Sequence, residues 1–280
     1  MTKEYEFYDT KEYQHLAELV DYMGTDLTVV NAARVSFNKQ SDWEYELDQL
    51  YSKEGQVYID GKRLSDKDIG LIKYLAKHNH FTPFTHVVIT MRETVPIFTA
   101  RQRFKHMVGF TYNEVSRRYD DSDPEFYYPD GWRLKAENVK QGSSSDISPK
   151  DVYWDKRYEQ HIENSAMLYR AMLDDGIAPE QARMVLPQSM FTSYYVTGSL
   201  FAWARAFNLR IDGHAQREIQ DLAKQWDKVI GGLDVLKNSW KALTKEHNGK
   251  GTIAQAVPVK NNEKQEEVQP KITDDEFGIV

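Results

Sequence analysis

Residues 101–119 read Arg-Gln-Arg-Phe-Lys-His-Met-Val-Gly-Phe-Thr-Tyr-Asn-Glu-Val-Ser-Arg-Arg-Tyr. Five cations (Arg101, Arg103, Lys105, Arg117 and Arg118) stand here against one acid, Glu114, in a chain whose formal net charge is −7. Such a local reversal of sign suits an anionic ligand, because cationic side chains concentrate where phosphate or carboxylate is held. The bland alternative is a solvated basic face. Phe104, Met107, Val108, Phe110, Tyr112 and Tyr119 are interleaved with the charges, and a solvated face has no use for that much apolar area. Ser116 beside two arginines reads as a phosphate ligand, since a hydroxyl and guanidinium donors match anionic oxygens. A serine nucleophile served by Glu114 and His106 is the weaker reading, because triads are assembled by the fold and not by sequence neighbourhood.

Two further arginines sit in apolar surroundings. Arg183 precedes Met-Val-Leu-Pro, and Arg210 precedes Ile-Asp-Gly-His214-Ala-Gln216. A buried guanidinium needs a partner. Either these two pair with an acid such as Asp212 or Glu218, or they line an anionic-ligand pocket whose other wall is 101–119. An arginine can also hold a ring amide and steady a developing negative charge. His78, His80 and His86 do not have a zinc spacing, and no carboxylate is placed to complete a site. They read as ordinary hydrogen-bonded or ligand-facing histidines, with no metal expected.

Composition narrows the chemistry. The chain has no cysteine, which excludes disulfides, cysteine-ligated zinc, iron–sulfur clusters and a thiol nucleophile. Its 280 residues, 40% of them hydrophobic, suffice for one large domain or two small ones. The acidic balance argues against a general nucleic-acid coat. A polar N-terminus and the lack of any apolar run near the ~20 residues of a membrane span predict a soluble cytoplasmic protein with no membrane partner.

The elements that must position these residues follow from hydrophobic periodicity. Residues 12–23 read as a helix, with Leu16, Leu19, Val20 and Met23 at helical spacing and Gly24 as the stop. Leu27–Ser36 fits strand or helix. Residues 37–64 read as a polar surface excursion with a turn at Asp60-Gly61. Ser65-x-x-Asp68 starts a helix as a variant capping box, and Pro83 ends it. Val87–Val95 predicts a strand broken by Pro96. Phe98–Phe110 predicts a helix, and Tyr112–Tyr119 an extended segment or turn. Residues 120–150 read as loop. The stripe Ile162, Ala166, Tyr169, Leu173 predicts a helix over 151–176, and Pro179 opens a short one. Residues 189–209, apolar on nearly every side, predict one long buried helix. Ala215, Ile219, Leu222, Trp226 and Ile230 predict a second helix over 212–237. Residues 246–280 turn polar and are expected to form a disordered tail beside a domain of 1–245.

Five blocks in order then carry a resemblance. They are His80-Phe-Thr-Pro-Phe-Thr-His86, Pro96-Ile-Phe-Thr-Ala-Arg-Gln-Arg-Phe-Lys-His-Met107, Tyr112-Asn-Glu-Val-Ser-Arg-Arg-Tyr119, Arg183-Met-Val-Leu-Pro187 and Asn208-Leu-Arg-Ile-Asp-Gly-His-Ala-Gln-Arg-Glu-Ile219. Together they resemble the flavin-dependent thymidylate synthases over about residues 25–230. The resemblance implies a single α+β domain with a small antiparallel sheet and long buried helices. It also implies a homotetramer whose active sites are shared between subunits. The implied activity makes the chain both a methyltransferase and an oxidoreductase: dUMP becomes dTMP, with methylenetetrahydrofolate supplying the carbon and NADPH-reduced FAD the hydride. The lack of cysteine accords with it, because the unrelated thymidylate synthase needs a cysteine nucleophile.

Carried over position by position, the resemblance assigns dUMP contacts to Gln102, Arg103, Phe104, Lys105, Glu114, Ser116, Arg117, Arg118, Arg183 and Arg210. Arg210 matches the arginine that polarises the uracil ring and is the catalytic candidate. Flavin contacts fall on His80, Thr82, Lys105, His106, Met107, Glu114, Ser199, Phe201 and Arg205. The chain also departs from the pattern. Lys105-His106-Met107 stands where the family has Arg-His-Arg, and the segment from Met107 to Ser116 is one residue longer. Ser199, Phe201 and Arg205 stand where asparagine, arginine and asparagine are usual. The rival reading is a nucleotide-binding paralogue that has lost flavin chemistry. Behind it is a single-stranded nucleic-acid binder that stacks bases on the basic–aromatic stretch.

Overall fold

A computed structural model describes residues 16–45, 50–53, 56–59, 61–137 and 142–244. In chain order the elements are β1 (Leu16–Met23), α1 (Asp26–Arg34), β2 (Glu44–Tyr45), β3 (Leu50–Lys53), β4 (Gln56–Ile59), β5 (Lys62–Arg63), α2 (Asp66–Lys77), β6 (Val88–Pro96), α3 (Ile97–Arg103), β7 (Phe110–Glu114), β8 (Arg133–Lys135), β9 (Ser143–Ile147), α4 (Asp151–Asp174), α5 (Pro179–Ala182), β10 (Phe191–Ser199), α6 (Leu200–Arg210), α7 (Arg217–Gly231) and α8 (Lys237–Thr244). This is an α+β chain built on a four-stranded antiparallel sheet of order β1-β6-β10-β7. Three two-stranded ribbons, β2 with β5, β3 with β4 and β8 with β9, lie outside that sheet.

Three sequence expectations give way at the sheet. The helix expected over 12–23 is strand β1 from Leu16 onward, and residues 12–15 lie outside the described residues. Its apolar residues do not mark a core face: Leu19, Val20, Tyr22 and Met23 are all exposed on this edge strand. Pairing with β6, through a register shift between Leu19 and Asp21, overrides the local period. The long helix expected over 189–209 is two elements, β10 and then α6. On β10 Tyr194 and Val196 are buried while Tyr195 between them is 51% exposed, so bulky residues on both faces of the strand mimic a helix apolar all round. The deciding signals were the β-favouring Thr192, Tyr194, Val196 and Thr197, and Ser199, whose hydroxyl accepts from the Ala202 N–H and caps α6. The helix expected over 98–110 covers only Ile97–Arg103.

Other expectations hold. Val88–Pro96 is the strand, Asp151–Asp174 is the helix with Ile162, Ala166 and Tyr169 buried, and Pro179 opens a one-turn helix. Ser65 caps α2 by accepting from the Asp68 N–H at 3.2 Å. Leu27–Ser36 resolves as helix α1 running on into a tight turn. The loop expected over 120–150 contains the β8–β9 ribbon, and the 37–64 excursion contains two more. Asp60 and the tail 246–280 lie outside the described residues.

The main core lies between the sheet and the helices. Val29 and Val30 of α1, Ile72 of α2, Ile89 and Met91 of β6, and Trp203 of α6 are all fully buried in it. On α7 the expected stripe Ile219, Leu222, Trp226 and Ile230 is at 0% exposure, while its N-cap residue Gln216 makes no side-chain cap bond. Burial of each such side chain stabilises by about 1.5–3 kcal/mol, against about 1 kcal/mol for a good cap. Packing, not capping, therefore sets where α7 lies. A second small core of Phe126, Ile162, Ala166 and Met190 seats α4.

Candidate active site at the α3–β7 turn

The chain must reverse after α3 so that Phe110 can open β7 beside β10. The reversal closes with bonds from the Phe104 N–H to the Ala100 carbonyl at 2.8 Å and from the His106 N–H to the Arg103 carbonyl at 3.0 Å. Gly109 sits at φ +81°, and a Cβ there would come 2.9 Å from the Ala202 Cβ. Only glycine tolerates both the left-handed backbone and that approach to α6. The turn thus presents Lys105 and Met107 outward and turns His106 inward, where it is 7% exposed.

Beneath the turn lies a buried ion pair. The Arg103 Nε donates to both oxygens of Glu93, at 3.2 and 3.1 Å, and both side chains are fully buried. Tyr194 lies directly across from Glu93 on β10 and donates its hydroxyl to the same carboxylate at 2.6 Å. The rings of Phe110, Trp226 and Trp203 surround the guanidinium carbon at 4.4, 4.8 and 4.9 Å. Arg103 Nη1 donates to the Tyr112 hydroxyl, which in turn donates to the His106 carbonyl, each at 2.6 Å. Burial pushes the Tyr112 phenol up to about 12, so it stays protonated and keeps that donor. Phe104 packs edge-on against Tyr112 and Tyr194. Arg103 and Phe104, expected at the nucleotide, are therefore used inside the chain; the apolar surroundings that would punish a lone guanidinium are occupied by Glu93.

Arg210, at the last turn of α6, donates from Nε to the Nε2 of His106 at 2.8 Å, and from Nη2 to the Gln102 carbonyl at a long 3.5 Å. Burial, and then the charges of Arg210, Arg103 and Arg205, depress the His106 imidazole to about 3. It is neutral at physiological pH, with Nε2 as acceptor and the proton on Nδ1. Arg210 itself is lowered, first by burial and then by Arg103. The Gln102 amide bonds Gln216, which donates to Glu218 at 2.8 Å, and Glu218 takes Arg133 at 2.5 Å. Burial raises the Glu218 carboxyl, but the hydrogen bonds it accepts outweigh this and hold it below its ordinary value.

A cleft of about 350 Å³ opens between the end of β7 and the segment after α5. Glu114, Ser116, Arg117, Arg183 and Thr192 line it, with Ile97, Val115, Leu186 and Met190 as the apolar wall. The Thr192 hydroxyl donates to Glu114 at 2.7 Å and fixes that carboxylate. Arg117 bonds the Ser122 carbonyl, which aims the guanidinium. Arg183 is exposed in the single chain, its Nε on the Glu180 carbonyl at 3.3 Å. Arg118 lies on the surface, paired with Glu180 at 3.2 Å. A hydroxyl and two guanidiniums around one cleft can hold a phosphate.

The residues expected at a flavin come from three elements. His80 and Thr82 are exposed after α2, and Phe81 between them stacks on Phe201 with ring centroids 5.1 Å apart. Arg205 follows Phe201 by one turn of α6, close enough for its charge to act on His106. Ser199 caps that helix, and Met107 is 74% exposed. His78 and His80 cluster with Tyr74, whose ring lies tilted over His78 with centroids 4.4 Å apart.

Sequence reasoning thus found Glu114, Ser116, Arg117 and Arg183, which share a cleft, and Gln102, His106 and Arg210, which share hydrogen bonds. It missed the supporting partners Glu93, Thr192 and Tyr112. Glu93 alone had a legible signal, a single acid in the apolar strand Val88–Pro96.

Comparison with known proteins places the chain among relatives of known kind. The protein-family profile described as thymidylate synthase complementing protein matches residues 18–231. A flavin-dependent thymidylate synthase of Thermosipho africanus is 39% identical over 209 residues, 73% of this chain and 81% of that protein. One from Thermosipho melanesiensis is 38% identical over 76% of this chain and 83% of its own length. Among solved structures, a UMP/dUMP methylase PolB from Streptomyces cacaoi, bound with 5-Br UMP, superposes with a TM-score of 0.66 at 28% identity, covering 83% of this chain and 94% of that one.

Proposed function

The chain belongs to the flavin-dependent thymidylate synthase family, and from that premise we propose that it converts dUMP to dTMP with methylenetetrahydrofolate as carbon donor. The observation that carries this reading is the pairing of a hydroxyl–guanidinium cleft (Ser116, Arg117, Arg183) with an arginine, Arg210, held from behind by a neutral imidazole. A phosphate and a uracil ring are what those two features suit.

The folate carbon arrives at the oxidation level of formaldehyde and ends as a methyl group, so the reaction needs two electrons besides the carbon. FAD, reduced by NADPH, supplies them as hydride when bound. The residues present fit this cofactor: Lys105 and Arg205 offer charge to a pyrophosphate, His80, Thr82 and Ser199 offer hydrogen bonds, and the stacked Phe81 and Phe201 offer a flat apolar face. Met107 and Phe201 contribute apolar contact where the usual pattern has charge; His106 lies in the same turn as Met107, and Glu114 reaches the cofactor from the far end of β7. Ser116, Arg117, Arg118 and Arg183 hold the nucleotide phosphate. Gln102 and Lys105 border the ring, and Arg210 donates to a ring oxygen, steadying negative charge as the adjacent carbon becomes nucleophilic. Arg103 and Phe104 act from behind by fixing the turn.

We also propose a homotetramer with shared active sites. Val108, Val115, Tyr119 and Met184 border the two clusters and are 70%, 48%, 81% and 74% exposed in the single chain. Apolar area of that size calls for a second copy to cover it. Among the described residues no helix is long and apolar enough to cross a membrane.

The test is the visible spectrum of the purified protein, followed anaerobically with NADPH, dUMP and methylenetetrahydrofolate. A flavin band that bleaches with NADPH, and dTMP formed only with all three substrates, is the expected result. A colourless protein that takes up no FAD yet binds dUMP would overturn it in favour of a nucleotide-binding paralogue.

A further inference from the structure

We propose that His106 is a positioning residue for Arg210: its Nε2 accepts the Arg210 Nε–H and so aims the guanidinium at the pyrimidine. The inference rests on the reading that Arg210 acts on the uracil ring. It assigns His106 a role toward a protein side chain, beyond the flavin contact implied by its place in the turn.

Three observations carry it. The bond is short, 2.8 Å, and joins a planar guanidinium to a planar imidazole. Arg210's other contact in this direction, to the Gln102 carbonyl, is long at 3.5 Å, so the imidazole is the stronger of the two anchors. The backbone that carries the ring is itself fixed: the His106 main-chain carbonyl takes the Tyr112 hydroxyl at 2.6 Å, and that hydroxyl is held by Arg103, which is locked on Glu93. A continuous path therefore runs from the buried ion pair of the sheet to the donors of Arg210.

The charges around the ring decide its chemistry. Arg103 from α3 and Arg205 and Arg210 from α6 all bear on His106. A protonated imidazole would put a fourth cation among them and would lose the lone pair that accepts from Arg210. Kept neutral, His106 retains the Nε2 lone pair that accepts from Arg210. Anchoring at Nε leaves the guanidinium one rotational setting, with its Nη donors directed away from the anchor. An unanchored arginine on a flexible stem loses that preorganisation, and a misplacement of about 1 Å can cost roughly 100-fold in rate.

The test compares His106→Gln with His106→Asn, measuring kcat, the KM for dUMP, flavin content and the pH profile of kcat. The Gln side chain sets an oxygen near the former Nε2, whereas the shorter Asn oxygen falls near the former Nδ1. Both are polar, so a general loss of folding affects both. The expected result is a kcat about 100-fold lower for H106N and within about tenfold of wild type for H106Q, the factor a single neutral hydrogen bond spans. The KM should change little, and the acid limb of H106Q should overlay that of wild type. Equal kcat for the two variants at equal flavin content would overturn the inference, as would a limb lost in H106Q. Arg210→Ala separates the two claims. If R210A keeps wild-type kcat, the role of Arg210 itself fails. If R210A is inactive and H106Q equals H106N, only the positioning role fails.

Discussion

Glu93→Gln should destabilise the chain strongly although it is isosteric. Glu93 and Arg103 are both at 0% exposure, and the carboxylate takes three bonds: two from the Arg103 Nε and one from the Tyr194 hydroxyl. Glutamine keeps the shape but offers one acceptor oxygen, and its amide N–H groups then face either the guanidinium or the phenol. Breaking a buried pair by neutralising one partner costs about 3–5 kcal/mol. The aromatic rings around Arg103 hold part of its charge, a contribution of up to about 2 kcal/mol when desolvated, which favours the lower end, about 3 kcal/mol. For a domain of this size that corresponds to roughly 6–12 °C in Tm. Trp203 and Trp226 flank the guanidinium, so tryptophan fluorescence during urea unfolding reports on the site directly. The companion is E93Q with Arg103→Met. Removing the stranded cation should make the double variant no less stable than E93Q alone, even though it carries one more substitution. A loss below about 1 kcal/mol for E93Q, or simple addition of the two single effects, would refute the view that a desolvated ion pair holds this turn.

Two further outcomes follow from the same neighbourhood. The folded-state pKa of His106, about 3, lies below the 6.5 of the free side chain, so its stabilising contribution is complete above about pH 6.5 and is lost as pH falls toward 3. Between pH 7.5 and 5.5 the loss is about 1.4 kcal/mol, and thermal melts should show wild type losing that much more than H106Q over this interval; parallel curves would contradict it. Gly198 lies opposite Phe110 in the β10–β7 register, and a Cβ there would come 2.4 Å from the ring. Gly198→Ala should therefore cost about 1–3 kcal/mol in urea unfolding by pushing Phe110 off the Arg103 guanidinium; an unchanged midpoint would mean that the ring yields without loss.

The order of the motifs and the chemistry of their side chains were determined by the sequence. Ser116, Arg117 and Arg183 could be named as anion ligands because hydroxyl and guanidinium chemistry does not depend on the fold. The 3.6-residue stripe of Ile219, Leu222, Trp226 and Ile230 was legible because an amphipathic helix carries its own burial pattern. The tertiary structure decided the rest. Whether Leu16–Met23 and Phe191–Ser199 are helix or strand depends on the availability of β6 as a partner, which no local window contains. The part played by each arginine of the basic stretch was not local either. Arg103 and Lys105 are two residues apart, yet one is sealed against Glu93 and the other faces solvent, because a seven-residue helix ends between them. Likewise Arg210 and His106 are 104 positions apart, and their bond exists only because Gly109 lets the turn lie against α6.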